Sequence, residues 1–150
     1  HRDLHRLIRR QRQMCIRDSL DTEGIVARRA TQRAEDSDIA RLKKLVSEAE
    51  SLLANPNADF NDYSKLDREF HLALAAAARN RLYESVLRIV HENMSRYFEK
   101  HLEWHNERFP ELYRDILDMV NAVERRDGER AFSLANGHIE KFFRYVNADD

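Results

Sequence analysis

Apolar residues recur at three- and four-residue intervals along almost the whole chain from Leu20 onward. This spacing is typical of helices that bury one face, and it predicts six helices separated by turn-forming residues. The predicted helices cover about residues 20–34, 39–52, 62–78, 82–104, 110–126 and 129–146. Asp36-Ser37 is expected to cap the second helix, and Pro110 to begin the fifth. The fold class expected is all-α, an antiparallel bundle of about six helices.

The faces of two predicted helices follow from the same pattern. In the first helix, Ile25, Ala27 and Ala30 form a small-residue face that is expected to be buried. In the fourth helix, the stripe expected to face the core consists of Leu82, Val86, Ile89 and Val90. His91 lies off this stripe, so we expect it to be exposed.

Composition supports a helical domain and excludes several other classes. The chain has 150 residues with only three glycines and two prolines, which disfavours β-sandwiches, barrels and glycine-rich phosphate loops. One cysteine cannot form an internal disulfide framework or a thiolate metal cluster. The longest apolar run, residues 72–78, is too short to span a membrane, and no signal peptide is visible. A cytoplasmic location without membrane association is expected.

Residues 1–19 differ from the rest of the chain. They hold six arginines and two aspartates, which leaves 20 basic and 25 acidic residues in the remainder. The chain begins with His1 rather than Met, and the string MCIRDS at residues 14–19 resembles a translated sequencing adaptor. We therefore expect residues 1–19 to be a non-native segment and residues 20–150 to form the domain; the alternative is a basic nucleic-acid arm. The acidic remainder is not expected to bind DNA unaided.

Three ionisable residues fall on apolar stripes. Asp67 and His71 lie one turn apart on the third helix, and His138 lies in the middle of the stripe of the sixth. A buried carboxylate and two imidazoles need partners, and together they suit zinc, nickel or manganese between bundle helices. In the structural alternative, Asp67 and His71 bond each other and His138 is a core histidine held by Tyr63 or a carbonyl.

Several residues and motifs of the chain resemble those of a known family, the FadR C-terminal (FCD) domain. This domain is the effector-binding half of a large subfamily of GntR-type bacterial transcription regulators. The resemblance covers about residues 20–146. It rests on Glu23, Ala27-Arg28-Arg29-Ala30, Asp67-Arg68-Glu69-Phe70-His71, Ala76-Ala77-Ala78-Arg79-Asn80, residues 122–127, Ala131 and His138-Ile139.

The resemblance implies a bundle of six or seven helices around a central pocket for a small organic acid. Many members hold a divalent metal in this pocket with one acidic residue and three histidines. Asp67, His71 and His138 match the first, second and last ligands, whereas Ile116 occupies the position of the third and cannot ligate. The implied site is therefore crippled, reorganised, or completed by water and the carboxylate of the effector. Completed in this way, it holds zinc, nickel or manganese with three protein ligands. The alternative is that of family members that have lost the metal and bind the effector by polar and apolar contacts only.

An acid-binding pocket also needs donors for the carboxylate. Arg96 falls where family members often place an arginine near the effector, and Asn93 lies beside it on the fourth helix. Tyr63 and Tyr97 are expected to add hydroxyl groups. Ile116 is expected to point into the same pocket.

The sequence thus predicts the effector-sensing domain of a GntR/FadR-subfamily regulator, a homodimer that controls DNA binding by a winged helix-turn-helix domain. Residues 1–19 are too short to supply that domain. One alternative is a metal-dependent helical-bundle enzyme acting on a small carboxylate through Asp67, His71 and His138. Another is a dimerisation bundle with a degenerate pocket. A non-enzymatic role is expected, because no nucleophile–base pair or acid–base dyad is evident.

Overall fold

The computed structural model describes residues 2–101 and 106–147, and these residues form an all-α bundle. No strand occurs within these two ranges, which confirms the predicted fold class. A short 3₁₀ turn, Asn106–Arg108, precedes the fifth helix. The helices are α1 (Arg2–Arg33), α2 (Asp36–Leu53), α3 (Phe60–Ala77), α4 (Arg81–His101), α5 (Phe109–Glu124) and α6 (Gly128–Asn147).

Helix α1 is longer than the apolar pattern predicts. It begins at Arg2 and runs without interruption into the stretch that was predicted from residue 20. Helical backbone in residues 2–19 does not bear on their origin, so their assignment as a non-native segment stays a prediction.

The helix boundaries follow local hydrogen bonding. Glu35, and not the predicted Asp36-Ser37, caps α2, because Glu35 and Asp38 bond each other's backbone amides reciprocally. Helix α5 begins at Phe109, one residue before the predicted start, and Pro110 lies in its first turn. Arg79 follows the end of α3 in the left-handed region (φ 53°), and its guanidinium bonds Asp38 at 2.9 Å. The end of α3 is thereby tied to the start of α2.

The main core lies where α1, α2, α3, α5 and α6 face each other. Alanines on α1, α3 and α6 allow the helices to approach closely, while larger side chains from α2, α3 and α5 fill the remaining space. The residues of this core that are less than 2% exposed are Ala27, Ala30, Leu42, Phe70, Leu74, Ala77, Ile116, Met119, Val123, Ala131 and Ala135.

Gly24 lies at a close contact between α1 and α6. A Cβ atom added at Gly24 would lie 2.6 Å from Asn136 Oδ1 and 2.7 Å from the Phe132 ring. Only glycine fits here without displacement of α6 side chains. This contact fixes the position of the neighbouring Glu23, along the α1 axis, relative to α6.

The predicted faces of α1 and α4 are partly wrong. Leu82 and Ile89 on α4 are 67% and 60% exposed, and Val86 is also exposed, whereas Leu87 and Met94 are buried. Helix α4 carries apolar residues on two faces, and only one face packs on α3 and α1. Ala27 and Ala30 on α1 are buried as expected, but Ile25 is exposed.

In the part of the chain that the structure describes, no helix combines the length and the apolar character needed to cross a membrane.

Candidate metal and effector site

A cluster of ionisable side chains is buried inside the bundle, and five helices contribute to it. We refer to these residues as the His–carboxylate cluster. Three histidines, each at most 3% exposed, are accompanied by three carboxylates. The cluster consists of Glu23 on α1, Asp67 and His71 on α3, His91 on α4, Asp115 on α5 and His138 on α6.

His71 lies at the centre of the cluster. Its Nδ1 donates to Glu23 Oε2 at 3.1 Å, and His91 Nε2 donates to the other oxygen of Glu23. The rings of His71 and His91 stack, with centroids 4.4 Å apart. His71 Nε2 is buried and has no hydrogen-bond partner among the described residues, although Asp67 Oδ1 lies 3.5 Å away. One nitrogen of this ring is therefore held by a carboxylate, while the other faces Asp67 without a bond.

His138, on α6, is likewise held by a carboxylate through its Nδ1 and faces Asp67 with its Nε2. Its Nδ1 donates to Asp115 Oδ2 at 3.2 Å, and its Nε2 lies 2.9 Å from Asp67 Oδ1. Lys141 donates to both oxygens of Asp115, at 2.7 and 2.9 Å, and fixes that carboxylate. The Tyr63 hydroxyl donates to Asp67 Oδ1 at 3.3 Å.

The mutual attraction of these groups outweighs the cost of burying them. Burial alone would lower the pKa of His71, but the negative charges of Glu23 and Asp67 raise that pKa to about 10. The pKa of His138 is also raised, against burial, by its bonds to Asp115 and Asp67. Burial would raise the pKa values of Glu23 and Asp67, yet the facing histidines hold both below their usual range. Without a metal, these pKa shifts favour ionised carboxylates at Glu23 and Asp67 and imidazolium rings at His71 and His138.

The donor set around Asp67 fits a divalent metal. One ligand atom from each of Asp67, His71 and His138 lies within 4.8 Å of the other two; we call these residues the first triad. Both histidines bond a carboxylate through Nδ1, Glu23 for His71 and Asp115 for His138, and so turn Nε2 toward Asp67. Metal-ligating histidines usually have such a carboxylate on the far ring nitrogen. The unpartnered His71 Nε2 is the atom that a metal would satisfy.

Charge balance also favours a divalent ion at this place. Three carboxylates of the cluster face the His71 and His138 rings and Lys141, and Lys141 also pairs with Glu111 at 3.1 Å. An ion of charge +2 that displaces one proton from each of His71 and His138 leaves the total charge of the cluster unchanged. The ion thus avoids the high cost of adding net charge to a protein interior.

A second group of residues also has metal-ligand geometry. Ligand atoms of Glu23, His71 and His91 lie within 4.8 Å of one another, and all three residues are buried. We call these residues the second triad; it shares His71 with the first. The described residues thus include two groups that could hold a metal.

A narrow cleft between α3, α4 and α6 reaches the cluster. Its volume is about 10 Å³, which is room for about one water molecule. The cleft is lined by Phe60, Tyr63, Ser64, Asp67, His91, Met94, Ser95 and Phe142.

The residues predicted to bind the effector lie in different places. Tyr63 is buried and lines the cleft. Arg96 and Asn93 are exposed and do not line it, because they lie on the α4 face that sequence analysis took for the buried one. The Asn93 side chain donates to the backbone carbonyl of Ile89. This placement gives the predicted role of Arg96 and Asn93 no support.

The other two predicted effector residues give no direct contact to the cleft. Ile116 is fully buried in the apolar main core and is not among the residues that line the cleft. Its neighbour Asp115, not Ile116 itself, turns toward His138. The side chain of Tyr97 lies outside the described part of the chain.

Sequence analysis missed half of the cluster: Glu23, His91 and Asp115. The prediction that His91 is exposed is wrong, because Leu87 and Met94, one turn before and after it, define the buried face of α4. The available signal was the same in all three cases, a charged or polar residue spaced three or four positions from buried apolar ones. Glu23 has this spacing to Val26 and Ala27, and Asp115 to Leu112 and Met119.

Comparison with known proteins identifies the family of this bundle. The FCD domain family matches residues 14–141, so the chain belongs to that family, as the sequence resemblance implied. The solved structure of E. coli McbR/YncC superposes with a TM-score of 0.80 at 13% sequence identity. The alignment covers 93% of this chain and 66% of that one, so the present chain spans about two thirds of its neighbour. No curated protein matches the sequence.

Proposed function

We propose that this chain is the effector-sensing domain of a GntR/FadR-subfamily transcription regulator. It binds a small organic acid together with a divalent metal and thereby controls DNA binding by a winged helix-turn-helix domain of the full-length protein. The observation that carries this proposal is the first triad inside an FCD bundle, with both histidines turned toward Asp67 by buried carboxylates. A cytoplasmic, non-enzymatic role goes with it.

The metal would be held by Asp67, His71 and His138. Imidazole and carboxylate ligands suit zinc, nickel and manganese. Three protein ligands leave coordination positions open, and these would take water or the carboxylate of the acid. The protein's own contribution is to fix the two rings through Glu23 and Asp115 and to exclude bulk water.

The acid would enter through the cleft beside Asp67. Tyr63 lines this cleft, and its hydroxyl is close enough to Asp67 to serve the same ligand. Since the closed cleft has room for about one water, the acid must bind a more open arrangement of α3, α4 and α6. An acid that prefers the open arrangement shifts the population toward it, which is the requirement for sensing.

A homodimer accounts for the exposed apolar face of α4. Leu82, Val86 and Ile89 form one stripe on the outside of the bundle. Exposed apolar residues clustered in this way are typical of protein–protein contacts. We propose that a second copy of the chain covers this stripe.

The test is a thermal-unfolding screen of the 150-residue chain purified without a His-tag and treated with a chelator. Zinc, nickel and manganese are added singly, each with and without a panel of dicarboxylic and hydroxy acids. A metal that raises the midpoint, and an acid that raises it further only with the metal present, are expected. No shift with any metal or acid would contradict the proposal, as would conversion of a bound acid into product.

His71→Ala shows whether the response comes from the cluster. Loss of the metal and acid responses with retained helical circular dichroism is expected. The matched control is Leu74→Val, which also truncates a fully buried residue of α3 but removes no ligand. It should lower the free energy of unfolding by about 1 kcal/mol and keep both responses. A His71→Ala variant that keeps the full metal response would rule out the assigned site.

A further inference from the structure

We propose that Glu23, His71 and His91, the second triad, form a second site for a divalent transition metal, used alternately with the first. The inference deepens the proposed function, since it concerns the metal of the same cluster. The second site lies on the opposite edge of the His71 ring, toward α1 and α4, whereas the first lies toward α6.

The geometry of the second triad is that of a metal site in three respects. Glu23 Oε2 lies 3.1 Å from His71 Nδ1, and His91 Nε2 contacts Glu23 Oε1 directly. The three residues come from three helices and are at most 3% exposed. One carboxylate and two imidazoles also make up the donor set of the first triad, so both sites select the same class of ion.

The shared ring makes the two sites exclusive. A neutral imidazole carries one proton and one lone pair, so it binds a metal through one nitrogen at a time. When an ion occupies the first site, His71 binds it through Nε2. Its Nδ1 keeps the proton and donates it to Glu23. When an ion occupies the second site, Nδ1 binds the metal and the Nε2 proton faces Asp67 Oδ1, 3.5 Å away. In each state, the carboxylate of the vacated site is the acceptor for the remaining proton.

Occupation of the two sites has different structural consequences. An ion at the first site connects α3 to α6, through His71 and His138. An ion at the second site connects α1, α3 and α4, through Glu23, His71 and His91. His91 and Asp67 both line the cleft, so an acid that completes the coordination of either ion enters from the same side.

The test compares zinc stoichiometry and ligation in the 150-residue chain and three variants. His138→Gln disables the first site, His91→Gln disables the second, and the double variant disables both. We expect one zinc per chain in the wild type and in each single variant, and loss of stoichiometric binding in the double variant. Imidazole ¹⁵N shifts identify the ligating nitrogen: His71 Nδ1 in His138→Gln and His71 Nε2 in His91→Gln.

Each alternative has its own outcome. Zinc binding lost in His138→Gln and kept in His91→Gln means that the second triad only positions His71; this would overturn the inference and leave the proposed function standing. Two zinc ions per wild-type chain would contradict alternation. A wild type that binds no zinc, nickel or manganese would overturn both. Circular dichroism verifies folding, and Asp67→Asn replaces His138→Gln if that variant unfolds.

Discussion

At the scale of single residues, the site depends on which atom of each imidazole is already engaged. Glu23 and Asp115 occupy Nδ1 of His71 and His138, and this leaves both Nε2 atoms turned toward Asp67. The two carboxylates would therefore influence a metal bound at the first triad without contacting it. Their replacement should weaken metal binding even though all three ligands of the first triad remain.

Asp115→Ala tests this positioning role, in a His91→Gln background that confines the ion to the first triad. Loss of the Nδ1 acceptor allows His138 to adopt the other tautomer, so zinc affinity should fall by about 10- to 100-fold, measured by chelator competition. Asp118→Ala, which removes a carboxylate from the same helix outside the cluster, is the control. Equal affinities for the two variants would show that Asp115 has no influence on the site.

At the scale of helices, the contact at Gly24 determines how closely α1 packs on α6, and α4 has one buried and one exposed apolar face. Gly24 lets α1 lie directly against Phe132 and Asn136 of α6, next to the residue that bonds His71 and His91. On α4, the exposed stripe of Leu82, Val86 and Ile89 lies on the opposite side from the buried Leu87 and Met94. The face of α4 that packs inside the bundle is thus distinct from its exposed apolar stripe.

Gly24→Ala is expected to destabilise the fold. The added methyl group would overlap the side chains of Asn136 and Phe132, and overpacking of this kind costs about 1–3 kcal/mol of unfolding free energy. Gly137→Ala on α6 is the matched control. Its Cβ would meet nothing within 4 Å, so relief of backbone entropy should stabilise the helix by about 0.5–1 kcal/mol. Urea unfolding of both variants measures the difference, and the same sign for both would refute the close-approach argument.

Ile89→Glu should dissociate the proposed dimer. A charge on the apolar stripe of α4 would have to be buried without a partner at the interface. Sedimentation equilibrium is expected to give the dimer mass for the wild type and the monomer mass for Ile89→Glu. Arg88→Glu, exposed on the same helix beside the stripe, should remain dimeric. A monomeric wild type would remove the basis for the dimer.

The limits of prediction from the sequence are also visible at this scale. The helices and turns were predictable because buried faces and helix-breaking residues leave periodic traces, and Asp67, His71 and His138 were visible as polar interruptions. The buried face of α4 was not predictable, because Val86 and Ile89 on one side and Leu87 and Met94 on the other are equally apolar. Periodicity gives the period of a helix but not the side to which its neighbours pack. Because of this ambiguity, His91 was left out of the predicted site and Arg96 was included in it.

At the scale of the whole molecule, groups of opposite charge face each other in the cluster and at Lys141 beside it. The carboxylates Glu23, Asp67 and Asp115 have lowered pKa values, and His71, His138 and Lys141 have raised ones. Stability of the metal-free protein should therefore depend on pH from both sides. The carboxylates stabilise the fold above their ordinary pKa values, and this contribution disappears as pH falls. The histidines stabilise it below pH 6.5, and their contribution is lost as pH rises toward the His71 pKa of about 10.

Metal should reverse the alkaline part of this dependence. Without metal, the unfolding midpoint is expected to decrease between about pH 6 and about pH 9, since unfolding then releases the protons held by His71 and His138. With zinc, the stabilisation should grow over the same range, because fewer protons compete for the ligands. Calorimetry with chelator and with zinc measures both trends. A metal-free midpoint that rises between the two pH values would contradict the assigned charge states.

The adjacency of Glu23 and Gly24 has a mechanical consequence for α1. Gly24 leaves no free space toward α6, and Glu23 is held by two histidines, so the helix is anchored at this level and resists sliding along its axis. A helix that is held at one point along its axis can still tilt about that point. If His71 exchanges its bond partner between the two proposed metal sites, we expect α1 to tilt about residues 23–24, with a displacement that grows with distance from the pivot. A tilt of about 5° would move the backbone at Arg33, about 15 Å along the axis, by about 1 Å.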